Sequence, residues 1–233
     1  MLRDAPSVGA TAYSLKAPMY VSTVSGSERF KSPPWFGKSM LVIGIIGRTR
    51  SGKTTLANMI HHVHGAEIFS HATPVREEIG RAWFRGVKAS TAQHNWRLLE
   101  MDNKERVRPI LRAWAEGRRQ IDTPDYWVDR TWESIGESGE ELVVIDDVRY
   151  PNELARILDN GGYVVRLIAK DRSLLMRGAS EDSLSHTSET SLMHYTLHEV
   201  GNDKCMAVSV DERTPEQAVS YTHLRAHETV LDL

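Results

Sequence analysis

Short apolar runs alternate with longer amphipathic stretches along most of this chain. The strand-sized apolar runs lie at residues 41–46, 66–69, 141–146 and 163–168. Helix-length segments separate them, which predicts β-α-β units and a parallel sheet with helices on both faces. Nearly continuous apolar runs are typical of strands buried inside such a sheet. A last short strand is predicted at residues 196–200.

Helix start and stop signals place the helices between these strands. They are predicted over residues 53–63, from Thr73, and over 94–119, 122–135 and 151–159. Thr73 is expected to cap its helix, with Pro74 at the first helical position. Pro109 is expected to kink its segment or to start the second half of it. Gly161-Gly162 end the last helix.

Three segments stand apart from this alternation. Residues 1–39 are rich in Ser, Pro, Gly and Ala and predict a disordered arm, with docking through Trp35 and Phe36 as the alternative. Met40, directly before the first strand, is a candidate start of the domain, which we expect to span 40–219. Residues 220–233 look foreign to it and are interpreted as a non-native tail, or alternatively as a C-terminal helix.

The third segment, residues 170–189, is polar and follows the fourth strand; we call it the lid segment. In a nucleotide enzyme a mobile lid is expected at this place. Arg172 and Arg177 are candidates to close over a transferring phosphate, or else ordinary loop charges.

Composition and charge narrow the class of protein. Hydrophobic residues make up 40% and charged residues 26% of the chain, and the formal net charge is -2. This charge favours no specific nucleic acid partner. No apolar run is long enough for a membrane span, and the single Cys205 allows no internal disulfide. We therefore expect a soluble, cytoplasmic protein whose oligomeric state is open, a homodimer included.

One motif carries specific chemistry. Gly47 to Thr54 match G-x-x-x-x-G-K-[ST], with an apolar strand before them and a helical pattern after them. The backbone of such a loop binds phosphates, the lysine bridges the β- and γ-phosphates, and the threonine hydroxyl ligates Mg²⁺. The predicted ATP phosphate-binding residues are Gly47, Arg50, Ser51, Gly52, Lys53, Thr54 and Thr55.

The run at 142–145 delivers Asp146 and Asp147 to the carboxyl end of a predicted central strand. Ligands bind at that edge of a parallel sheet, and a carboxylate there can hold Mg²⁺. Because neighbours on a strand face opposite sides, which aspartate faces the site stays open. Arg149 follows within reach of an anion. The alternative is that one aspartate merely caps a loop.

A phosphate-bearing acceptor would need further cations. Those after the second strand and on the long helix are the candidates: Arg76, Lys104, Arg108, Arg112, and Arg118 or Arg119. The alternative for the helix is a solvated basic face countered by Glu105 and Glu116. Trp127 could stack on a base or pack in the core.

The segment Asp147-Val148-Arg149-Tyr150-Pro151-Asn152-Glu153 resembles the signature of bacteriophage-type deoxynucleoside monophosphate kinases. The likeness covers about residues 40–205. Other pieces resemble that family in the same order: Ile68 to Ala72, Asp102 with Lys104-Glu105 and Arg108-Pro109, Trp127, Gly161-Gly162 with Arg166, His186 to Glu189, and Asn202-Asp203. In place of the family's Leu-Gln-x-x-Gly-Thr segment the chain has residues 111–116.

The resemblance implies a three-layer P-loop fold with a helical and lid insertion. It also implies transfer of the γ-phosphate of ATP, with Mg²⁺, to a (deoxy)nucleoside monophosphate. Lys53, Asp147 and Arg149 are then the predicted catalytic residues, Thr54, Asp146 and Asp147 the metal site, and His186 and Glu189 the end of the lid. The alternatives are a P-loop kinase for another small acceptor and a non-catalytic ATP-binding regulator.

Overall fold

A computed structural model describes residues 40–193 and 204–211, except for the side chains of Ala89, Lys104 and Glu105. The predicted N-terminal arm, the strand predicted at 196–200, the Asn202-Asp203 pair and the C-terminal tail lie outside the described residues.

A parallel sheet of five strands forms the centre of the described structure. Its strands are β1 (Leu41–Gly47), β2 (Glu67–Phe69), β3 (Leu142–Val148), β4 (Tyr163–Ile168) and β5 (Cys205–Ser209). The order β2-β3-β1-β4-β5 places β1 in the middle, and every neighbouring pair is parallel. Four of these strands match the predicted apolar runs; β5 was not predicted.

Five helices connect the strands, and three shorter ones form the lid segment. The connecting helices are α1 (Lys53–His64), α2 (Ala72–Trp83), α3 (Ala89–Ile121), α4 (Tyr126–Ser138) and α5 (Pro151–Asp159). The lid segment forms α6 (Asp171–Met176), α7 (Glu181–Ser185) and α8 (Thr187–Thr190). None of the described helices combines the length and apolar character that crossing a membrane requires.

The core has two parts, one on each face of the sheet. On one face Trp132 and Ile135 of α4 and Ile157 of α5 pack against residues such as Val143 and Ile145. On the other face Leu56 and Ala57 of α1 pack against strand residues such as Val144. Helices α2 and α3 form a helical insertion around Ile79, Trp96 and Val107. The predicted three-layer α/β fold with a helical insertion is therefore confirmed.

The beginning of α2 differs from the prediction. The helix starts at Ala72, and Thr73 is its second residue instead of its cap. The backbone N–H groups of His71 and Ala72 donate to the carboxylate of Asp147, at 2.7 and 3.0 Å. A side chain from a distant strand thus satisfies the unpaired donors of the helix end, which no local pattern indicates.

The other differences concern α3 and α4. The irregularity in α3 falls at Asn103, with φ −139° and ψ 40°, and not at Pro109. An asparagine accommodates such a break because its side chain competes for backbone hydrogen bonds. Helix α4 begins at Tyr126, since residues before it form a turn in which the Tyr126 N–H donates to the Thr123 carbonyl at 3.1 Å.

We predict that Gly162→Ala destabilises the protein. An added Cβ would lie 2.6 Å from the Val42 carbonyl oxygen and 2.8 Å from Ile157 Cγ2, where α5 turns closely into β4. Overpacking of this kind lowers the free energy of unfolding by about 1–3 kcal/mol. Urea unfolding of the variant and the parent measures this difference. The control Gly117→Ala, with open space in helix α3, should instead stabilise by about 0.5–1 kcal/mol. Equal stability of Gly162→Ala and the parent would contradict the close approach.

Candidate active site

The loop of the Gly47-to-Thr54 motif, which we call the phosphate loop, joins the carboxyl end of β1 to the start of α1. Gly52, at the N-cap of α1, has φ 96°, which glycine adopts without strain. Arg50 also has a positive φ, 63°. The Ser51 N–H donates to the Arg48 carbonyl at 3.1 Å, which closes the turn. The predicted strand–loop–helix context is confirmed, so the loop presents backbone N–H groups at a helix N-terminus, as phosphate-binding loops do.

The ammonium group of Lys53 lies folded back over the loop. Its Nζ donates to the carbonyls of Gly47 and Arg48, at 2.5 and 2.9 Å. Burial and, to a smaller extent, the positive charge of Arg149 lower the pKa of Lys53 to about 8, while the nearby carboxylates act in the opposite direction. A buried cation whose hydrogen bonds among the described residues go to carbonyl oxygens is suited to receive a strong anion.

A bulge in β3 decides how the two aspartates lie. Gly44 pairs with Ile145, but two residues later Ile46 pairs with Val148, so β3 has one extra residue there. A bulge redirects side chains that strict alternation would send to opposite faces. Asp146 and Asp147 therefore both line the same cleft.

Asp147 is fully engaged by the beginning of α2. It accepts from the Ser70 hydroxyl at 2.6 Å, besides the N–H groups of His71 and Ala72. Although burial opposes ionisation, the His71 ring and the Ser70 hydrogen bond hold the pKa of Asp147 below its ordinary value. Its carboxylate thus ties the end of β3 to the β2–α2 junction.

Asp146 is different from its neighbour. Within the described part of the chain its carboxylate accepts no hydrogen bond, although it interacts electrostatically with Lys53, Arg76 and Arg149. Burial and, to a smaller extent, the negative charge of Asp147 raise the pKa of Asp146 to about 6, while the three cations act in the opposite direction. An unbonded carboxylate facing the phosphate loop can take part in binding a cation.

Arg149 is positioned by its backbone and its side chain together. Its N–H and that of Tyr150 donate to the Glu153 carboxylate, at 2.6 and 3.0 Å, at the start of α5. Its guanidinium forms an ion pair with Glu189 and lies 3.5 Å from the Ser188 carbonyl. The Thr49 N–H of the phosphate loop donates to the same Glu189 at 2.5 Å. The predicted lid end and the predicted catalytic arginine are thus in contact.

A single cleft of about 1190 Å³ connects these groups to α3. It is lined by the phosphate loop and by both aspartates. Four arginines line it as well, Arg76 of α2 and Arg108, Arg112 and Arg119 of α3. Pockets for one small ligand are usually about 300–1,000 Å³, so this cleft has room for more than one.

These four arginines differ in their partners. Arg76 makes a bidentate pair with Glu100, at 2.7 and 3.0 Å. Arg119 lies over the Tyr150 ring, 4.2 Å from its centroid, and 3.6 Å from Glu153. Burial and the like charge of Arg108 lower the pKa of Arg112. Crowded guanidinium groups beside a cleft favour an anionic ligand.

The remaining predicted residues are placed as follows. Trp127 is buried in the core, and its indole N–H donates to the Ala115 carbonyl at 2.9 Å, so it does not reach the cleft. Arg172 is exposed and lies away from the cleft, whereas Arg177 lines it and donates to the Val210 carbonyl. His186 lines the cleft on the lid side. The side chain of Lys104 lies outside the described set.

The sequence predicts no role for three site residues, Ser70, His71 and Glu153, although each lies in a segment that resembles the monophosphate kinase family. Ser70 and His71 hold Asp147. Glu153 accepts from the N–H groups of Arg149 and Tyr150 at the start of α5.

No protein-only metal cage exists among the described residues, since none of their His, Cys, Asp and Glu side chains cluster in groups of three or more. Mg²⁺ is usually bound by one or two carboxylates together with waters and substrate phosphates. The Thr54 hydroxyl and the unbonded Asp146 carboxylate, on one cleft, fit that donor set.

Comparisons with known proteins were made for the sequence and for the fold. No protein-family model matches the chain, and no curated protein matches it. Among solved structures, a gluconokinase from Sinorhizobium meliloti has a TM-score of 0.46 at 16% identity, covering 84% of this chain and 98% of that one. A shikimate kinase from Aquifex aeolicus has 0.43 at 16%, covering 82% and 99%. The fold is assigned from the strand order described above.

We predict opposite pH trends for the two aspartates. The folded-state pKa of Asp146 is raised, so its ionisation weakens folding as pH rises from about 4 through about 6. Asp146→Asn should therefore gain about 1–3 kcal/mol relative to the parent at pH 8, and this gain should shrink at pH 4.

The pKa of Asp147 is lowered, so its carboxylate stabilises the fold at pH values above its ordinary pKa. This stabilisation is lost as the pH falls and the carboxylate is protonated. Asp147→Asn should be destabilised at pH 8, with a smaller deficit below pH 4. Urea unfolding at both pH values measures each trend. The same sign of change for the two variants would contradict the assignment.

Proposed function

We propose that this protein is a phosphotransferase that moves the γ-phosphate of ATP to a (deoxy)nucleoside monophosphate. One observation carries the proposal: the cleft that contains the phosphate loop is also lined by four arginines, Arg76, Arg108, Arg112 and Arg119. The loop suits a triphosphate donor. The arginines suit an acceptor that carries a phosphate of its own, because guanidinium groups bind phosphate oxygens through charge-assisted hydrogen bonds.

The donor end is formed by the loop, Lys53 and Arg149. Loop N–H groups and the start of α1 would hold the donor phosphates, with Gly47, Arg50, Ser51, Gly52 and Thr55 as proposed neighbours. Thr54 and Asp146 would hold Mg²⁺, which neutralises phosphate charge when bound. Asp147 would act by positioning, since its oxygens already accept from the β2–α2 junction.

Phosphoryl transfer needs alignment and charge stabilisation more than proton transfer. An oxygen of the acceptor phosphate would form a bond to the γ-phosphorus while the bond to the bridging β–γ oxygen breaks, leaving ADP. The attacking oxygen is already anionic, so no general base is required. Lys53 and Arg149 would stabilise the negative charge that spreads over the transferring group.

The acceptor end is formed by α2, α3 and the start of α5. Arg108 and Arg112 are one helical turn apart and line the cleft together. Arg76 and Arg119 are held in place by Glu100 and by Tyr150 with Glu153. These groups would bind the acceptor phosphate, and the lid residues Arg177 and His186 would face it from the other side. Lys104 stays a candidate by its sequence position alone.

A kinase for another anionic small molecule is the second candidate, and one observation favours it. Trp127, the expected stacking partner for a base, is buried in the core. Tyr150 lines the cleft, but Arg119 already lies over its ring. A non-catalytic ATP-binding regulator would use the donor end only.

An acceptor panel tests the proposal. ATP consumption by the full chain, with Mg²⁺, is measured against deoxynucleoside and ribonucleoside monophosphates, and against phosphorylated and carboxylated sugars. We expect stimulation by at least one monophosphate. Lys53→Ala should lower turnover by about 10²-fold or more, whereas Lys88→Ala, exposed and outside the cleft, should not change it.

The other outcomes of the panel separate the candidates. Stimulation only by a sugar acid or sugar phosphate would replace the nucleoside monophosphate with that acceptor. ATP binding without stimulation by any acceptor would favour the regulator. Full activity of Lys53→Ala would contradict the assignment of the donor end.

A kinetic variant tests the acceptor end. Arg112→Gln should raise the KM of the acceptor by roughly tenfold or more, because a charge-assisted hydrogen bond contributes about 1.5–3 kcal/mol. The KM of ATP should stay unchanged. Arg106→Gln, exposed on the same helix and outside the cleft, is the matched control. An equal rise in the KM of ATP would place Arg112 at the donor end instead.

A further inference from the structure

The carboxylate of Glu189 is buried between the phosphate loop and Arg149. Only 4% of its side chain is exposed. One oxygen accepts from the Thr49 N–H at 2.5 Å, and the other forms the ion pair with the Arg149 guanidinium. Thr49 lies in the loop and Arg149 follows β3, so one side chain of α8 bridges the two elements that form the donor end.

These two donors are the kind that recognises phosphate. Backbone N–H groups of a glycine-containing loop and a guanidinium both bind oxyanions, and a carboxylate presents two oxygens to them as a phosphate does. Lys53 is also satisfied internally, because its Nζ donates to the loop carbonyls. Glu189 therefore occupies an oxyanion subsite, and the principal cation of the loop is turned to the backbone.

The rest of the lid segment holds Glu189 in this place. Arg48 of the phosphate loop forms an ion pair with Asp171 of α6 and donates to the Leu184 carbonyl of α7 at 3.2 Å. The Arg149 guanidinium also lies near the Ser188 carbonyl. The loop is thus attached to α6, α7 and α8, so moving Glu189 means moving its short helix.

We propose that Glu189 is an internal competitor for the phosphate groups of the donor nucleotide. The inference rests on the proposed function and adds a step to it. A phosphate that binds Arg149 and the Thr49 N–H must displace the Glu189 carboxylate, so triphosphate binding releases α8 from the loop. In this structure the protein's own anion occupies that subsite.

The energetic consequence follows from competition. Phosphate groups can bind only those molecules in which Glu189 has left the subsite, so their apparent affinity is lowered in proportion to that fraction. A variant that removes the carboxylate charge but keeps the side-chain shape should therefore bind phosphate groups more tightly. Glu189→Gln keeps the side-chain volume and can still accept from Thr49, but it gives up the ion pair with Arg149.

Binding of pyrophosphate provides the direct test. Calorimetric titration of the full chain with pyrophosphate compares the parent, Glu189→Gln and the control Glu181→Gln. Glu181 is an exposed carboxylate of the same lid segment, and it does not line the cleft. We expect the Kd of Glu189→Gln to fall at least about fivefold, as typical coupling between sites gives, and that of Glu181→Gln to change less than about twofold.

Hydrogen exchange of the parent chain separates displacement from a simple charge effect, and it needs no variant to fold. The amide of Glu189 donates to the His186 carbonyl at 2.8 Å, and that of Ser191 to the Thr187 carbonyl at 2.9 Å. Both amides should exchange faster when pyrophosphate is bound, because α8 leaves the loop.

The outcomes are as follows. The competition would be overturned if Glu189→Gln bound pyrophosphate no more tightly than the parent, or if neither protein bound it. It would also be overturned if the α8 amides exchanged at an unchanged or slower rate when pyrophosphate is bound. Failure of the proposed function has a different signature. Pyrophosphate would then still bind more tightly to Glu189→Gln, while ATP with every nucleoside monophosphate gives no turnover.

Discussion

The buried carboxylate of Asp147 connects the parts of this molecule that form the cleft. It lies at the end of β3. It accepts hydrogen bonds from the Ser70 hydroxyl and from the backbone N–H groups of His71 and Ala72 at the start of α2. A buried charge is stable only when its hydrogen-bonding capacity is filled, so this contact holds β2, α2 and β3 in one arrangement. The positions of Asp146, Arg76 and Arg149 around the cleft follow from it.

The charges of the cleft are balanced internally in this structure. Arg76 pairs with Glu100, Arg149 with Glu189, and Lys53 with loop carbonyls. Each pair leaves an anion or a carbonyl where a phosphate oxygen could take its place. The affinity of such a site for phosphate groups depends on how readily these internal partners are exchanged.

Local signals predicted the elements that are determined locally. The phosphate loop, the bounds of β4 and α5, and the turn at Gly161-Gly162 all depend on glycine, proline and apolar periodicity over a few residues. The three-layer α/β fold followed from the same alternation. The loop context, the aspartates at the end of β3 and most of the cleft arginines were predicted for the same reason.

The remaining features depend on residues far apart in the sequence. The cap of α2 comes from β3, the bulge that brings Asp146 and Asp147 to one cleft depends on pairing with β1, and the burial of Trp127 depends on α3. By itself, the sequence determined the parallel α/β fold and a phosphate loop, since both follow from short-range backbone preferences. Only the tertiary structure decided which aspartate is bonded, which arginines have partners and that Glu189 lies against the loop, because burial and long-range hydrogen bonds set those contacts.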